Sequence, residues 1–327
     1  MIKYIYPLTK NILDEDIEKK ILTNSQGDNT KIINSIPRFV DSSLDEVDYA
    51  QIWGDQWEKY QLTQFDSVNK ADFSKKRIEF ILGEPIENLK DLDVFEAGCG
   101  AGRFTELFLK SGANLHSIDA SKAVDFNYKN NAHKSNKFQI AQADLFNPPY
   151  PDNSFDLVVC VGVLQHTPNT VEAINILWKK VKPGGKLIID HYQFLFRYYF
   201  GLLEVFRFFV KKMPPEKSIK FCKFFIKIFF PLFWKIRKYK TLIKVLRKII
   251  PVGFGSDEEL NQLSYTQRYE LAELETHDAL ADTIKRLITK KKLKEILKNL
   301  KNSNIDMIVD QRQGSNGIEA RISKISK

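Results

Sequence analysis

The chain is poor in cysteine: Cys99, Cys160 and Cys222 are three in number and far apart in 327 residues. An odd, scattered set excludes a disulfide framework and a CxxC zinc pair, and predicts a reducing, cytoplasmic setting. The start, MIKYIYPLTKN, lacks the long apolar run of a signal peptide. Charges interrupt the apolar runs after Phe194, so none of them reads as a membrane span. No His/Cys/Asp/Glu cluster has metal-ligand spacing, and no Ser–His or Cys–His pair has a recognisable one, so no metal is expected. What is present suffices for a sizeable core: 43% of the residues are hydrophobic, enough for one large domain or a domain with additions.

The net charge of +9 is uneven. Residues 194–251 hold 15 lysines and arginines against two acids, a net +13, and 16 of the 40 aromatics. The other 269 residues are net −4. One segment is compositionally foreign to the rest.

Asp93-Val94-Phe95 closes a short apolar run that reads as a buried strand. Glu96-Ala-Gly98-Cys-Gly100-Ala-Gly102 follows as a glycine loop, and Arg103–Lys110 as the first turns of a helix closed by Ser111-Gly112. A strand, a glycine turn and a helix start make a nucleotide-binding corner, because glycine admits a ligand to the backbone and the helix offers free N–H groups. A dinucleotide site spaces its glycines GxGxxG to seat a pyrophosphate. Here the spacing is ExGxGxG, and Glu96 suits the cationic methionine end of S-adenosylmethionine.

Residues 1–40 read as an irregular leader with an extended piece at 36–40, and 41–82 as helical, with Tyr49, Ile52, Trp53, Gln56, Trp57 and Tyr60 recurring every three or four residues. That stripe is either plain packing or a lid over the cofactor pocket. Strands are then expected at Leu92–Phe95, Asn114–Asp119, Phe138–Ala143, Phe155–Val163 and Lys186–Tyr192, the last after a Lys182-Pro-Gly-Gly185 turn. A helix is expected over about 170–181, and a basic amphipathic helix over 281–299. A closing antiparallel hairpin, Ile305–Arg312 and Gly317–Ile325, should flank Gln-Gly-Ser-Asn. Asp119, 21 residues after Gly98, is placed to accept both ribose hydroxyls, and Asp144 the adenine amino group. With Leu145 and Val161 they complete the expected cofactor contacts, beside Glu96, Gly98, Gly100 and Gly102. The expected fold is a doubly wound α/β Rossmann-like sheet.

EAGCGAG, Asp119, Asp144, FDLVVCVGVLQHTPN and LWKKVKPGGKLII occur in order over about residues 90–192. In them, and in the hairpin, the chain resembles the class I S-adenosylmethionine-dependent methyltransferases. WGDQWEKYQLTQFD and LETHDAL also look like a subgroup acting on small or lipid-linked molecules. The resemblance implies seven strands in the order 3-2-1-4-5-7-6, strand 7 antiparallel. It divides the chain into an N-terminal leader and arm (1–88), a cofactor-binding core (89–192), a basic aromatic insertion after strand five (193–262) and a C-terminal helix and hairpin (263–327). It implies methyl transfer, in which the protein chiefly places the acceptor in line with the methyl group.

A general base is needed only if the acceptor loses a proton; His166, His191 and His277 are the candidates, against the plainer alternative that each closes a loop or lines the pocket. Asn147-Pro-Pro-Tyr150 matches the NPPY signature of amino-group methyltransferases but precedes the fourth strand, so it reads as a connecting loop. The insertion has three readings: helices meeting an anionic membrane from the cytoplasmic side, a cap over the active site, or a nucleic-acid surface, which its phenylalanine-rich faces disfavour. The expected activity is methyl transfer to a small or lipid-linked acceptor; the alternatives are an RNA methyltransferase and a non-catalytic cofactor-binding protein.

Overall fold

The structure is a computed structural model that describes residues 1–40, 48–194, 202–254, 259–310 and 317–326. The first 40 residues are not irregular. They form a four-stranded antiparallel sheet of β1 (Asp14–Asp16), β2 (Ile21–Thr23), β3 (Asn29–Ile33) and β4 (Ile36–Pro37). These strands are too short for an alternating pattern to show. Asn34 and Ser35, both at positive φ, turn β3 straight into β4. The chain then covers the edge of the main sheet, where the Phe39 N–H donates to the Gln142 carbonyl (2.8 Å) and Arg38 pairs with Asp125 (2.6 Å).

The arm is three helices, α1 (Asp48–Lys59), α2 (Asp66–Asn69) and α3 (Phe73–Leu82), the last two each ended by a left-handed residue, Lys70 and Gly83. Residues 41–47 and the side chains of Tyr49 and Ile52 lie outside the described residues. The core follows as β5 (Asp93–Ala97), α4 (Arg103–Ser111), β6 (Asn114–Asp119), α5 (Ala123–Asn131), β7 (Phe138–Gln142), β8 (Phe155–Cys160), α6 (Thr170–Lys180) and β9 (Val181–Tyr192). Helices α7 (Leu202–Val210), α8 (Pro215–Lys235), α9 (Lys240–Leu246), α10 (Tyr265–Ala281) and α11 (Lys290–Lys298) precede a hairpin of β10 (Ser303–Asp310) and β11 (Gly317–Lys324). The loop between those two strands lies outside the described residues.

The main sheet runs β7-β6-β5-β8-β9-β11-β10, parallel from β7 to β9, with β11 antiparallel to both its neighbours. This is the order 3-2-1-4-5-7-6. Strand alternation explains why β8 is apolar throughout: Val158 and Cys160 pack under α6 and α11, Leu157 and Val159 under α3 and α4. Two expectations change. Lys182–Gly185 is not a turn before a strand but a bulge within β9: Phe155 pairs with Val181 and Leu157 with Lys186, so four residues oppose Asp156, with Gly184 at φ +82°. The helix expected over 281–299 is interrupted. Asp282 leaves the helical region at ψ 116° and its carboxylate captures the Ile284 N–H, so α11 starts only after Thr289, whose hydroxyl accepts from the Lys292 N–H.

Candidate active site

The glycine loop lies between the end of β5 and the start of α4, tied to β6 by the Gly98 and Cys99 N–H groups, which donate to the Ile118 carbonyl at 2.8 and 3.0 Å. Gly98 sits at φ +78°, and a Cβ there would lie 2.3 Å from Val163 Cγ2. Gly102 sits at φ +99°, and a Cβ there would lie 2.2 Å from Asn131 Nδ2. Neither position tolerates a side chain. Glu96 is buried behind the loop and outside the cavity lining. Its Oε2 accepts from the hydroxyls of Thr105 (2.6 Å) and Ser117 (2.8 Å); Asn127 donates to Thr105, and Asn131 to Asn127 and to the Gly102 carbonyl. Burial raises the Glu96 carboxyl to about 7. The acid is therefore a buried brace for the loop, a role that follows from Thr105 and Ser117 facing inward beside it.

Above the loop is a cavity of about 260 Å³. Gly98, Gly100 and Gly102 form its floor and Asp119, Leu145 and Val161 its sides. Asp119 is half-buried and held rigidly: Oδ2 accepts from the Gly100 N–H (2.9 Å), and Oδ1 from the N–H (2.9 Å) and hydroxyl (2.6 Å) of Ser121. Burial raises its pKa, and these three donors oppose that rise. Asp144 is outside the lining, although Ala143 and Leu145 on either side of it are within; its Oδ1 accepts from the Phe146 N–H at 3.0 Å. Trp53, Gln56 and Trp57 of α1 close the top, and Trp57 Nε1 would lie 3.1 Å from a Cβ on Gly100. Trp53 and Trp57 fit the lid reading of the stripe, while Tyr60 is packed among Leu263, Leu271 and Leu274, as the plain-packing reading expects.

The histidines separate. His166 lines the cavity, 4.5 Å from the Trp53 ring by centroid, with Nδ1 3.0 Å from Asp282 Oδ2. Burial alone would lower its pKa, but the hydrogen bond and charge of Asp282, with Asp278 beyond, raise it above the ordinary value. His191 and His277 do not line the cavity. His191 Nδ1 faces the Tyr192 carbonyl and Nε2 the Thr170 hydroxyl, both at 3.1 Å. His277 cross-braces three helices: Nδ1 donates to Gln56 Oε1 of α1 (2.6 Å) and Nε2 meets the Ser218 hydroxyl of α8 (3.1 Å). Burial lowers both, His277 to about 4, so each is a neutral interior ring with both nitrogens engaged.

Two features of the site were not anticipated. Arg77 lines the cavity and bridges Asp190 (2.5 Å) and Glu319 (3.1 Å), and Asp190 Oδ1 accepts from the Gly162 N–H (2.6 Å), fixing the chain after β8. Asp282 is held in turn by Arg207 of α7, whose Nη2 donates to the Asp282 carbonyl (2.5 Å). Asn147–Tyr150 contributes nothing to the lining: Tyr150 is fully buried against Tyr4 and Phe155, and the Pro149 carbonyl accepts from the Ile5 N–H. It is a packed connection.

A sheet in the order 3-2-1-4-5-7-6, with a glycine loop after its first strand and an acid at the end of its second, has the class I S-adenosylmethionine-dependent methyltransferase architecture. Residues 95–189 match the methyltransferase domain family, and this part of the chain is such a domain. The chain is 28% identical over 171 residues to a ubiquinone biosynthesis O-methyltransferase of Hydrogenovibrio crunogenus, covering 49% of this chain and 63% of that protein. It is 26% identical over 194 residues to a tRNA U34 carboxymethyltransferase of Nautilia profundicola, covering 58% and 63%. The matches span less than two thirds of either relative's own length. The magnesium protoporphyrin IX methyltransferase of Synechocystis PCC 6803 with bound S-adenosylmethionine aligns at a TM-score of 0.47 and 12% identity, covering 88% of this chain and 100% of that one.

Proposed function

We propose that the chain transfers a methyl group from S-adenosylmethionine to a small or lipid-linked acceptor by in-line displacement. The observation that carries this reading is one cavity with a cofactor-type end, the glycine loop and Asp119, and a proton-accepting end, His166 with Asp282. The residues fit the cofactor: Gly98, Gly100 and Gly102 line the cavity with backbone, Asp119 keeps acceptor capacity for ribose hydroxyls, and Leu145 and Val161 offer apolar sides to the adenine. Bound there, the cofactor supplies a methyl group on a sulfonium that is already a good leaving group. Asp144, between the lining residues Ala143 and Leu145, is the candidate partner of the adenine amino group.

The other roles belong to the acceptor. Trp53 and Trp57 exclude water. With Nδ1–H held by Asp282, the lone pair of neutral His166 is on Nε2, where it can take a proton from an acceptor hydroxyl. The likeness to a ubiquinone biosynthesis O-methyltransferase supports a small hydroxyl-bearing acceptor, and that to a tRNA-modifying enzyme is the reason RNA is included in the test. Wild-type protein with methyl-labelled cofactor is incubated with fractionated lipids, RNA and small metabolites. Label is expected in the lipid or small-molecule fraction. Label in RNA overturns the acceptor reading, and cofactor binding without label in any fraction points to a non-catalytic binder.

A further inference from the structure

The geometry points to an anionic membrane surface as the partner of the outer face of α7, α8 and α9. Helices α7 and α8 turn their inner sides onto α10, with Phe225 in one cluster with Ala272 and Val210 in another with Leu280, and α9 buries Ile243 in the cluster of Phe225. Their outer sides are apolar as well. On α7, Leu202, Val205, Phe208 and Phe209 are exposed, while Arg207 and Val210 point inward. On α8, Cys222, Ile226, Phe230 and Phe233 face the interior, and Phe224, Ile228 and Leu232 form a second stripe on the far side, with Phe224 64% exposed. Leu242, Val245 and Ile249 continue this on and just after α9, and the Leu202 N–H donates to the Lys248 carbonyl, joining the start of α7 to that end. So many large apolar side chains open to water on one helical layer mark an interaction surface.

Charge selects the occupant. At 100° per residue, exposed Lys220 and Lys227 lie within about 60° of Phe224 at the edge of the Phe224–Ile228–Leu232 stripe, and exposed Lys223 about 100° from it. Lys220, Lys227, Lys244 and Lys248 have no carboxylate partner among the described residues. No acidic residue occurs between Glu216 and Asp257. Apolar side chains beside lysines with no balancing acid fit a bilayer interface of negative charge, where the apolar groups enter the acyl boundary and the ammonium groups stay with the headgroups. No described helix is long and apolar enough to cross a membrane, so the contact lies in the interface plane. This inference is independent of the methyl-transfer reading.

The test is flotation of the full chain with vesicles of phosphatidylcholine alone and of phosphatidylcholine with phosphatidylglycerol, at low and high salt. Three variants are compared: Phe224→Glu with Ile228→Glu, Phe208→Glu with Phe209→Glu, and Lys220, Lys223 and Lys227 all to Glu. Circular dichroism and cofactor calorimetry check that each is folded. Wild type should float with anionic vesicles at low salt, about tenfold less at high salt, and weakly with neutral vesicles. Each variant should lose about tenfold or more while cofactor binding stays unchanged. Wild type that ignores anionic vesicles at low salt, binds neutral ones equally, or binds RNA in their place overturns the proposal, as does retention of vesicle binding by all three variants.

Discussion

Residues 93–192 and 202–249 are both rich in apolar side chains, but they spend them differently. In the core, alternate residues of β8 and β9 enter two layers, one under α6 and α11 and one under α3 and α4, and both are buried. In the insertion only one side of each helix is buried, in the cluster around Phe225, Phe230 and Phe254, and a second apolar stripe stays in water. A core satisfied on both faces needs no partner. A layer satisfied on one face implies one. The cavity lies between the core and α10, the helix on which the insertion packs: Asp119 and the glycines come from the core, and Leu274, Glu275 and Asp278 from α10.

Within the cavity, substitutions at the end formed by His166 and its partner Asp282 should damage the rate, and those at the glycine-loop end, the core end, should damage cofactor binding. His166→Ala should lower kcat by roughly 100- to 10,000-fold with cofactor affinity nearly unchanged, by the size of general-base effects. Asp282→Asn removes the charge that raises the His166 pKa, so the acidic limb of the kcat/KM profile should move to lower pH as well as the rate falling. A base is active when neutral, so a lower pKa leaves it active in more acidic solution. An unshifted limb in Asp282→Asn would separate the two residues.

At the core end, Asp119→Ala should weaken cofactor binding by roughly 1.5–3 kcal/mol, the worth of a hydrogen bond to a charged group. Calorimetry checks this, and unchanged affinity would remove Asp119 from the site.

The glycine spacing, the acids after β6 and β7 and the alternating apolar runs made the core legible in advance, because each is a local pattern. The arm's tryptophans were legible as a stripe, with packing and a lid over the cofactor pocket both left open. Three things were hidden for physical reasons. Residues 1–40 pair in strands of two to five residues, below the length at which alternation shows. Helix α10 buries Arg268, Glu273, Thr276 and His277 together with its leucines, so it has no polar face to betray it. The contacts of Arg77 with Asp190 and Glu319, and of His166 with Asp282, join residues more than 100 positions apart. The same remoteness hid the contact of His277 with Gln56, 221 positions away, whereas Glu96 and His191 meet partners within 21 positions whose inward direction no local pattern shows.

The brace gives a pH effect. Folded Glu96 titrates near 7 against an ordinary 4.5, so the folded protein keeps a proton that the unfolded chain releases. The stability this contributes is complete below the unfolded pKa and is lost as pH rises through the folded one. Thermal denaturation of wild type and Glu96→Gln between pH 5 and 8 should show the variant gaining on wild type as pH rises, by at most about 3 kcal/mol. Parallel curves would place the Glu96 pKa near its unfolded value. The smallest effect is expected at Asn147, exposed on a connection that the cavity does not reach: Asn147→Ala should keep turnover within a few-fold of wild type. A loss of about 1,000-fold, or about 4 kcal/mol, with cofactor binding intact would revive an amino-group methyltransferase reading.

The central claim is that the ExGxGxG loop and Asp119 hold S-adenosylmethionine rather than a dinucleotide. Isothermal titration of the wild-type chain with S-adenosylmethionine, its demethylated product and NAD tests this most directly. The account predicts saturable one-site binding of the first two and none comparable of NAD; binding of NAD with no response to either methionine-derived ligand would contradict it.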